Sequence, residues 1–267
     1  MSASAKGFIV TALLFIALGS GCKSSVERGR GSANNANAKA STAKPDDQGI
    51  IHSGSGEEKE KPVAGKANVQ GKVFYNEKPA ANIEVKLCEK FSQYFGGCSG
   101  QIFNAKTDAG GEYLIRNVPP GIYEGLTAKV FDTPYYVFAT SGFVASAKYK
   151  IEVDQTFFAP DSNLFKSDLK LVSPKAGAKV GASNLEVKWE SYTDAAYYKF
   201  SINPDSSSGA QTNYDYINKR VDGTSYVLDK PLAAGTYSCT VTAYNSNDVK
   251  LAESSGDIKF TVVGGGK

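Results

Sequence analysis

The feature that most constrains this chain is a two-residue hydrophobic alternation, repeated in short runs that end each time in turn residues. Ile83, Val85 and Leu87 alternate with Glu84 and Lys86. Leu185, Val187 and Trp189 repeat the pattern, as do Tyr198, Phe200 and Ile202. So do Tyr237, Cys239, Val241 and Ala243, and finally Ile258, Phe260 and Val262. Side chains of a strand point alternately to its two faces, so this period marks strands with one buried face. Between the runs lie Asn76-Glu77-Lys78-Pro79, Asp108-Ala109-Gly110-Gly111 and Pro119-Pro120-Gly121. Glycine supplies the positive φ that tight hairpins need, and proline and asparagine favour turns for their own reasons. The expectation is an all-β protein of two consecutive β-sandwiches, 67–165 and 168–263, the second with about seven strands.

Residues 1–66 follow a different logic. Lys6 precedes an apolar run from Phe8 to Leu18. A membrane-spanning helix needs about 20 residues, so this run is too short to span and suits a signal peptide. Small residues then lead to a cysteine: Leu18-Gly19-Ser20-Gly21-Cys22. This resembles the bacterial lipoprotein signal. The resemblance implies that 1–21 is removed and that Cys22 is lipidated, giving a membrane anchor. Lys23, in place of aspartate, implies the outer membrane or cell surface over the inner membrane. Ordinary cleavage after Gly19 is the alternative, and would leave Cys22 as a free thiol in an oxidising compartment. Residues 22–66 are rich in Ser, Ala, Asn, Gly and Lys, with Ile50-Ile51 as the one aliphatic cluster. Such a segment buries too little to offset its ordering entropy. It is expected to be a disordered tether with a reach of roughly 35–40 Å. Within it, Ser41-Thr42-Ala43-Lys44 matches the Ser/Lys pattern of penicillin-binding enzymes, but a nucleophile there lacks an oxyanion hole.

Charge and histidine content narrow the function classes. Residues 67–267 carry 21 basic and 21 acidic side chains, without the basic footprint of a nucleic-acid binder. The single histidine, His52, falls in the expected tether. No phosphate loop, Cys-x-x-Cys metal pair or EF-hand loop is present, so neither a metal nor a cofactor is expected. Paired carboxylates remain the one catalytic option. The chain is therefore read as a non-enzyme.

In the first segment, Val-x-Gly-x-Val at 69–73, Thr-Asp-x-Gly-Gly-x-Tyr at 107–113 and Pro-Pro-Gly-x-Tyr at 119–123 occur in order. This set resembles the carboxypeptidase regulatory-like, or transthyretin-like, sandwich family, which implies a structural or adhesive module. In an oxidising compartment Cys88 and Cys98 are expected to pair, pinning a loop that carries Phe91, Tyr94 and Phe95. Those rings either bind a ligand or cover the sandwich end. The second segment resembles fibronectin type III and immunoglobulin-like modules. The resemblance rests on Ser173-Pro174 with Gly177, on Trp189, on Ala195 with Tyr198, and on Leu232-Ala-Ala-Gly-Thr-Tyr237. It implies a core role for Trp189. Cys239 falls on an inward face and reads as a small buried hydrophobe. Tyr214 and Tyr216 would share one face of an extended segment, either stacking on a sugar or covering an edge strand.

The reading is a non-catalytic, membrane-anchored envelope lipoprotein acting as a binding or scaffold module. Its partners would be the membrane through its lipid, and an envelope protein or a glycan. The alternatives are a structural spacer or accessory subunit, a carbohydrate-binding protein, or a small hydrolase with carboxylates converging in a cleft.

Overall fold

The computed structural model describes residues 32–33, 46, 48–92, 97–139, 147–254 and 258–264. The signal segment and Cys22 lie outside the described residues. Strands joined by turns and irregular segments make up the described residues, with no α-helix among them and one 3-10 turn at Tyr214–Tyr216. Two hydrophobic cores form, one from residues between Ile51 and Phe165 and the other from residues between Leu169 and Val262.

In the first sandwich one sheet is centred on Glu84–Ser92, which pairs antiparallel with Gly97–Lys106 and Gly125–Lys129. The other is built on Ala67–Tyr75, antiparallel to Glu112–Val118 and parallel to Thr156–Phe158 and Ser162–Leu164. The alternation works as read: Val85 and Leu87 are buried, while Glu84 and Lys86 remain partly exposed. The Asp-x-Gly-Gly hairpin is held by Asp108, whose Oδ1 accepts the Gly110 and Glu112 N–H groups at 2.9 and 3.0 Å. Gly111 has φ +72°, and a Cβ there would lie 2.6 Å from the Val73 carbonyl oxygen, so no other residue fits.

The expected tether is corrected over its last part, residues 48–66. Residues 48–66 are laid along the first sandwich as a strap. Ile50–Ile51 pairs parallel with Lys148–Ile151, and Ile51 is fully buried in the core. Further along, the Gly54 N–H donates to the Phe158 carbonyl at 2.9 Å, and Gly56 lies against the Phe158 ring. Gln70 and the strap exchange two bonds, Lys59 N–H to Gln70 Oε1 at 3.1 Å and Gln70 Nε2 to the Glu57 carbonyl at 2.9 Å. Lys59 Nζ bridges Asp108 and Glu112, each at 2.7 Å, and Arg116 meets Glu60 at 2.8 Å. Exposed ion pairs of this kind contribute little each. The strap is held by one isoleucine and many polar contacts, which leave no hydrophobic periodicity in the sequence.

In the second sandwich, Gly235–Tyr244 is the central strand, antiparallel to Tyr197–Pro204, Lys250–Ser254 and Ile258–Val263. Leu171–Ser173, Glu186–Trp189 and Ser225–Val227 form the facing sheet. Trp189 is 2% exposed, with its ring 5.5 Å from Tyr198 and 6.3 Å from Phe200. Cys239 is buried, and burial pushes its thiol pKa up to about 12.

A polar junction joins the two sandwiches. Asn76 and Glu77 turn the chain after strand Ala67–Tyr75, both at positive φ (48° and 62°). Asn76 Nδ2 donates to Asp194 at 2.8 Å, and Asn245 Nδ2 donates to Asn76 Oδ1 at 2.9 Å. Asn247 Nδ2 reaches Glu77 Oε2 at 2.7 Å, and the hydroxyls of Tyr75 and Tyr192 lie 3.3 Å apart. Tyr197 and Tyr244, opposite one another in the sheet, mark the junction end of the second sandwich. The ten residues of Gly235–Tyr244 span about 30 Å at the usual rise of an extended strand. Pro204 and Gly235 therefore lie at the pole away from the junction.

Candidate functional site

Three places on the molecule bear on binding. The first is the Cys88–Cys98 hairpin. The two cysteines are bonded, with Cα atoms 5.4 Å apart. Phe91 is half-buried, its ring edge-on to Phe138 at 4.7 Å and packed over Gly125. It covers the sheet and is not a free platform. Tyr94 and Phe95 lie outside the described residues. Replacing both cysteines with alanine is expected to lower stability by about 2–3 kcal/mol, the loop-closure entropy of so short a ring. Urea unfolding of the double variant checks this. An unchanged midpoint would mean that the ladder between the two strands closes the loop unaided.

The second is the junction, where a cavity of about 500 Å³ opens between Tyr75, Lys166, Asp168, Glu190, Tyr192 and Asp194. Its polar groups are largely committed to one another. The Tyr192 hydroxyl donates to Asp168 at 2.9 Å, Asp194 accepts from Asn76, and Lys166 Nζ sits over the rings of Tyr75 and Phe131 at 5.1 and 5.2 Å. This region holds the two sandwiches in one geometry.

The third is the far pole of the second sandwich, and it corrects the expectation for Tyr214 and Tyr216. They are not on one face of an extended strand. Asn213 caps a 3-10 turn, its Oδ1 accepting the Asp215 N–H at 3.1 Å. At this tighter pitch the two rings part company. Tyr216 is fully buried against Phe200 and Tyr226, while Tyr214 is 83% exposed. The Tyr216 hydroxyl lies 2.8 Å from both Asp229 Oδ1 and the Lys230 carbonyl, and accepts the Lys230 N–H at 2.6 Å. Desolvation, then the Asp229 hydrogen bond, pushes its pKa up to about 12. The same bond holds the Asp229 carboxyl below its ordinary value. Asp215 is ion-paired with Lys230, whose pKa the contact raises.

Tyr216 is thus the anchor and Tyr214 the presented ring. Beside Tyr214 lies an open cavity of about 440 Å³, lined by Gln211, Thr212, Asn213 and Asp215 on one side and Pro231, Leu232 and Ala233 on the other. The sequence reading named Tyr214 as a candidate but not the polar residues that line the cavity with it. The signal available for them was Asn213 preceding Tyr-Asp-Tyr, a capping residue at the start of a turn. Among the described residues, no group of three His, Cys, Asp or Glu side chains could hold a metal ion. No helix of the described residues is long and apolar enough to cross a membrane.

No family model matches the chain, and no curated protein matches it. Among solved structures it is similar to the fibronectin(III)-like modules of CbhA from Clostridium thermocellum. That match has 16% identity and a TM-score of 0.27, covering 37% of this chain and 99% of that one. It is also similar to the full-length major pilin SpaD from Corynebacterium diphtheriae, at 11% identity and a TM-score of 0.26, covering 73% of this chain and 64% of that one. A third is BcpA, the major pilin subunit of Bacillus cereus, at 14% identity and a TM-score of 0.26, covering 74% and 69%.

Proposed function

We propose that this chain is a non-catalytic binding module of a bacterial cell envelope, anchored through a lipid on Cys22. The first sandwich is its base and the second presents a recognition pole. The observation that carries the reading is the polar junction. Asn76, Glu77, Asp194, Asn245 and Asn247 tie the sandwiches side chain to side chain. The anchored end enters through the first sandwich, and the Tyr214 pole sits at the end of the second, away from the junction. A fixed junction keeps that pole pointed away from the anchor, whereas a free hinge would let it fold back. The lipid attachment rests on the Leu18-Gly19-Ser20-Gly21-Cys22 sequence.

Intact-mass spectrometry and membrane fractionation of the native protein beside Cys22→Ala test the anchor. The expected result is a mature chain starting at Cys22 with added acyl mass, moved to the soluble fraction by the substitution. A soluble native chain starting near Ser20 without acyl mass would overturn it.

A further inference from the structure

We infer that the open pole of the second sandwich is a saccharide site, with the Tyr214 ring as its platform and a neutral sugar as its ligand class. The inference rests on the reading of this pole as the presented end, and adds what it takes.

The first argument is exposure held in place. Tyr214 is 83% exposed, and an aromatic left in water gives up the burial that would stabilise it. Its backbone is nevertheless fixed on three sides. Asn213 caps the turn, Tyr216 plugs the core beneath it, and the Asp215–Lys230 ion pair clips it to the neighbouring loop. A ring presented this way needs little further ordering when a ligand arrives, which is the main cost of binding.

The second argument is the chemistry of the wall. A pyranose has an apolar C–H face and a rim of hydroxyls that both donate and accept. The Tyr214 ring, with Pro231 and Ala233 also lining the cavity, offers apolar surface for the face. Gln211, Thr212 and Asn213 match the rim, since amides and hydroxyls supply donors and acceptors together. Asn213 uses its Oδ1 to cap the turn, and its NH₂ group is the part that can reach a ligand. The only ionisable carboxylate on this wall, Asp215, is matched by Lys230. The cavity therefore has no unbalanced charge to recruit a uronate or a phosphate. Its volume of about 440 Å³ falls in the range of small-ligand pockets, of order 300–1,000 Å³. A protein partner would need a contact face of roughly 800 Å², and a single projecting ring beside a polar hollow is not such a face.

The test is native affinity electrophoresis of the detergent-solubilised full chain. The gels contain soluble glucans, mannans, galactans or xylans, with alginate as the acidic comparison. At least one neutral polysaccharide is expected to retard the protein. Tyr214→Ala should weaken that binding by about tenfold or more, while Tyr214→Phe, which keeps the ring, should stay within about threefold. Because Tyr214 is exposed, both variants should melt with the parent, which a thermal scan verifies. Failure of all the neutral polymers, retardation by alginate alone, or equal binding by Tyr214→Ala would each overturn the saccharide assignment. A chain that fails here yet still fractionates with the membrane through Cys22 loses only this inference. A chain that shows Tyr214-dependent retardation but carries no acyl mass keeps it and loses the anchor.

Discussion

Replacing Ile51 with alanine is expected to destabilise the first sandwich by about 2–4 kcal/mol, although the residue sits in what reads as a flexible leader. Ile51 is fully buried and its strand pairs parallel with Lys148 and Tyr149. Removing its side chain takes away both the transfer energy and the packing against the core, and a parallel pair only two residues long cannot close the gap. Ile50 beside it is only partly buried, and Ile50→Ala should cost less. Amide hydrogen exchange is the suitable probe. In Ile51→Ala the amides of Lys148–Ile151 should exchange far faster, while those of Gly235–Tyr244 in the second sandwich keep their protection. If the protection of Lys148–Ile151 were unchanged, the strap would be a passive covering and the first sandwich would begin at Ala67.

How far the sequence could be read depended on whether a feature was periodic. Val85, Leu87, Trp189, Phe200, Cys239 and Val241 sit where a period of two puts them, because a half-buried strand imposes that period directly. The Asp108-Ala109-Gly110-Gly111 turn was legible for a local reason, the φ of Gly111. The strap was not, since its contacts are backbone bonds to Phe158 and side-chain pairs from Lys59 to Asp108 and Glu112, partners far along the chain. The junction escaped for the same reason. Asn76 and Asn245 look like ordinary turn residues until the fold brings them within 2.9 Å. At the candidate site, Tyr214 and Tyr216 were read as sharing one face, and they do not. Alternation assumes an extended backbone, and the Asn213 cap converts the segment to a 3-10 turn, in which residues two apart no longer share a face.

Tyr216→Ala should then be among the most damaging single changes in the second sandwich, at about 3–5 kcal/mol. The ring is fully buried, stacked at 6.2 Å on Phe200 and set against Tyr226 at 6.5 Å, and Phe200 in turn lies 6.3 Å from Trp189. Its truncation leaves a cavity against Phe200, which itself neighbours the only tryptophan, so the fluorescence of Trp189 follows the loss in a urea titration. Tyr216→Phe separates the two contributions of the residue. It keeps the ring and removes the hydroxyl that accepts the Lys230 N–H and bonds Asp229. Its cost should be about 1–2 kcal/mol, the price of leaving that N–H without its partner. The same pair of variants separates anchoring from presentation at the pole. Tyr216→Ala releases the turn from the core and should take saccharide binding with it, although Tyr214 is untouched. Tyr216→Phe keeps the turn seated, and binding should survive. Equal midpoints for the parent and Tyr216→Ala would mean that the turn is not held from beneath, and Tyr214 would then be an exposed ring on a loose loop.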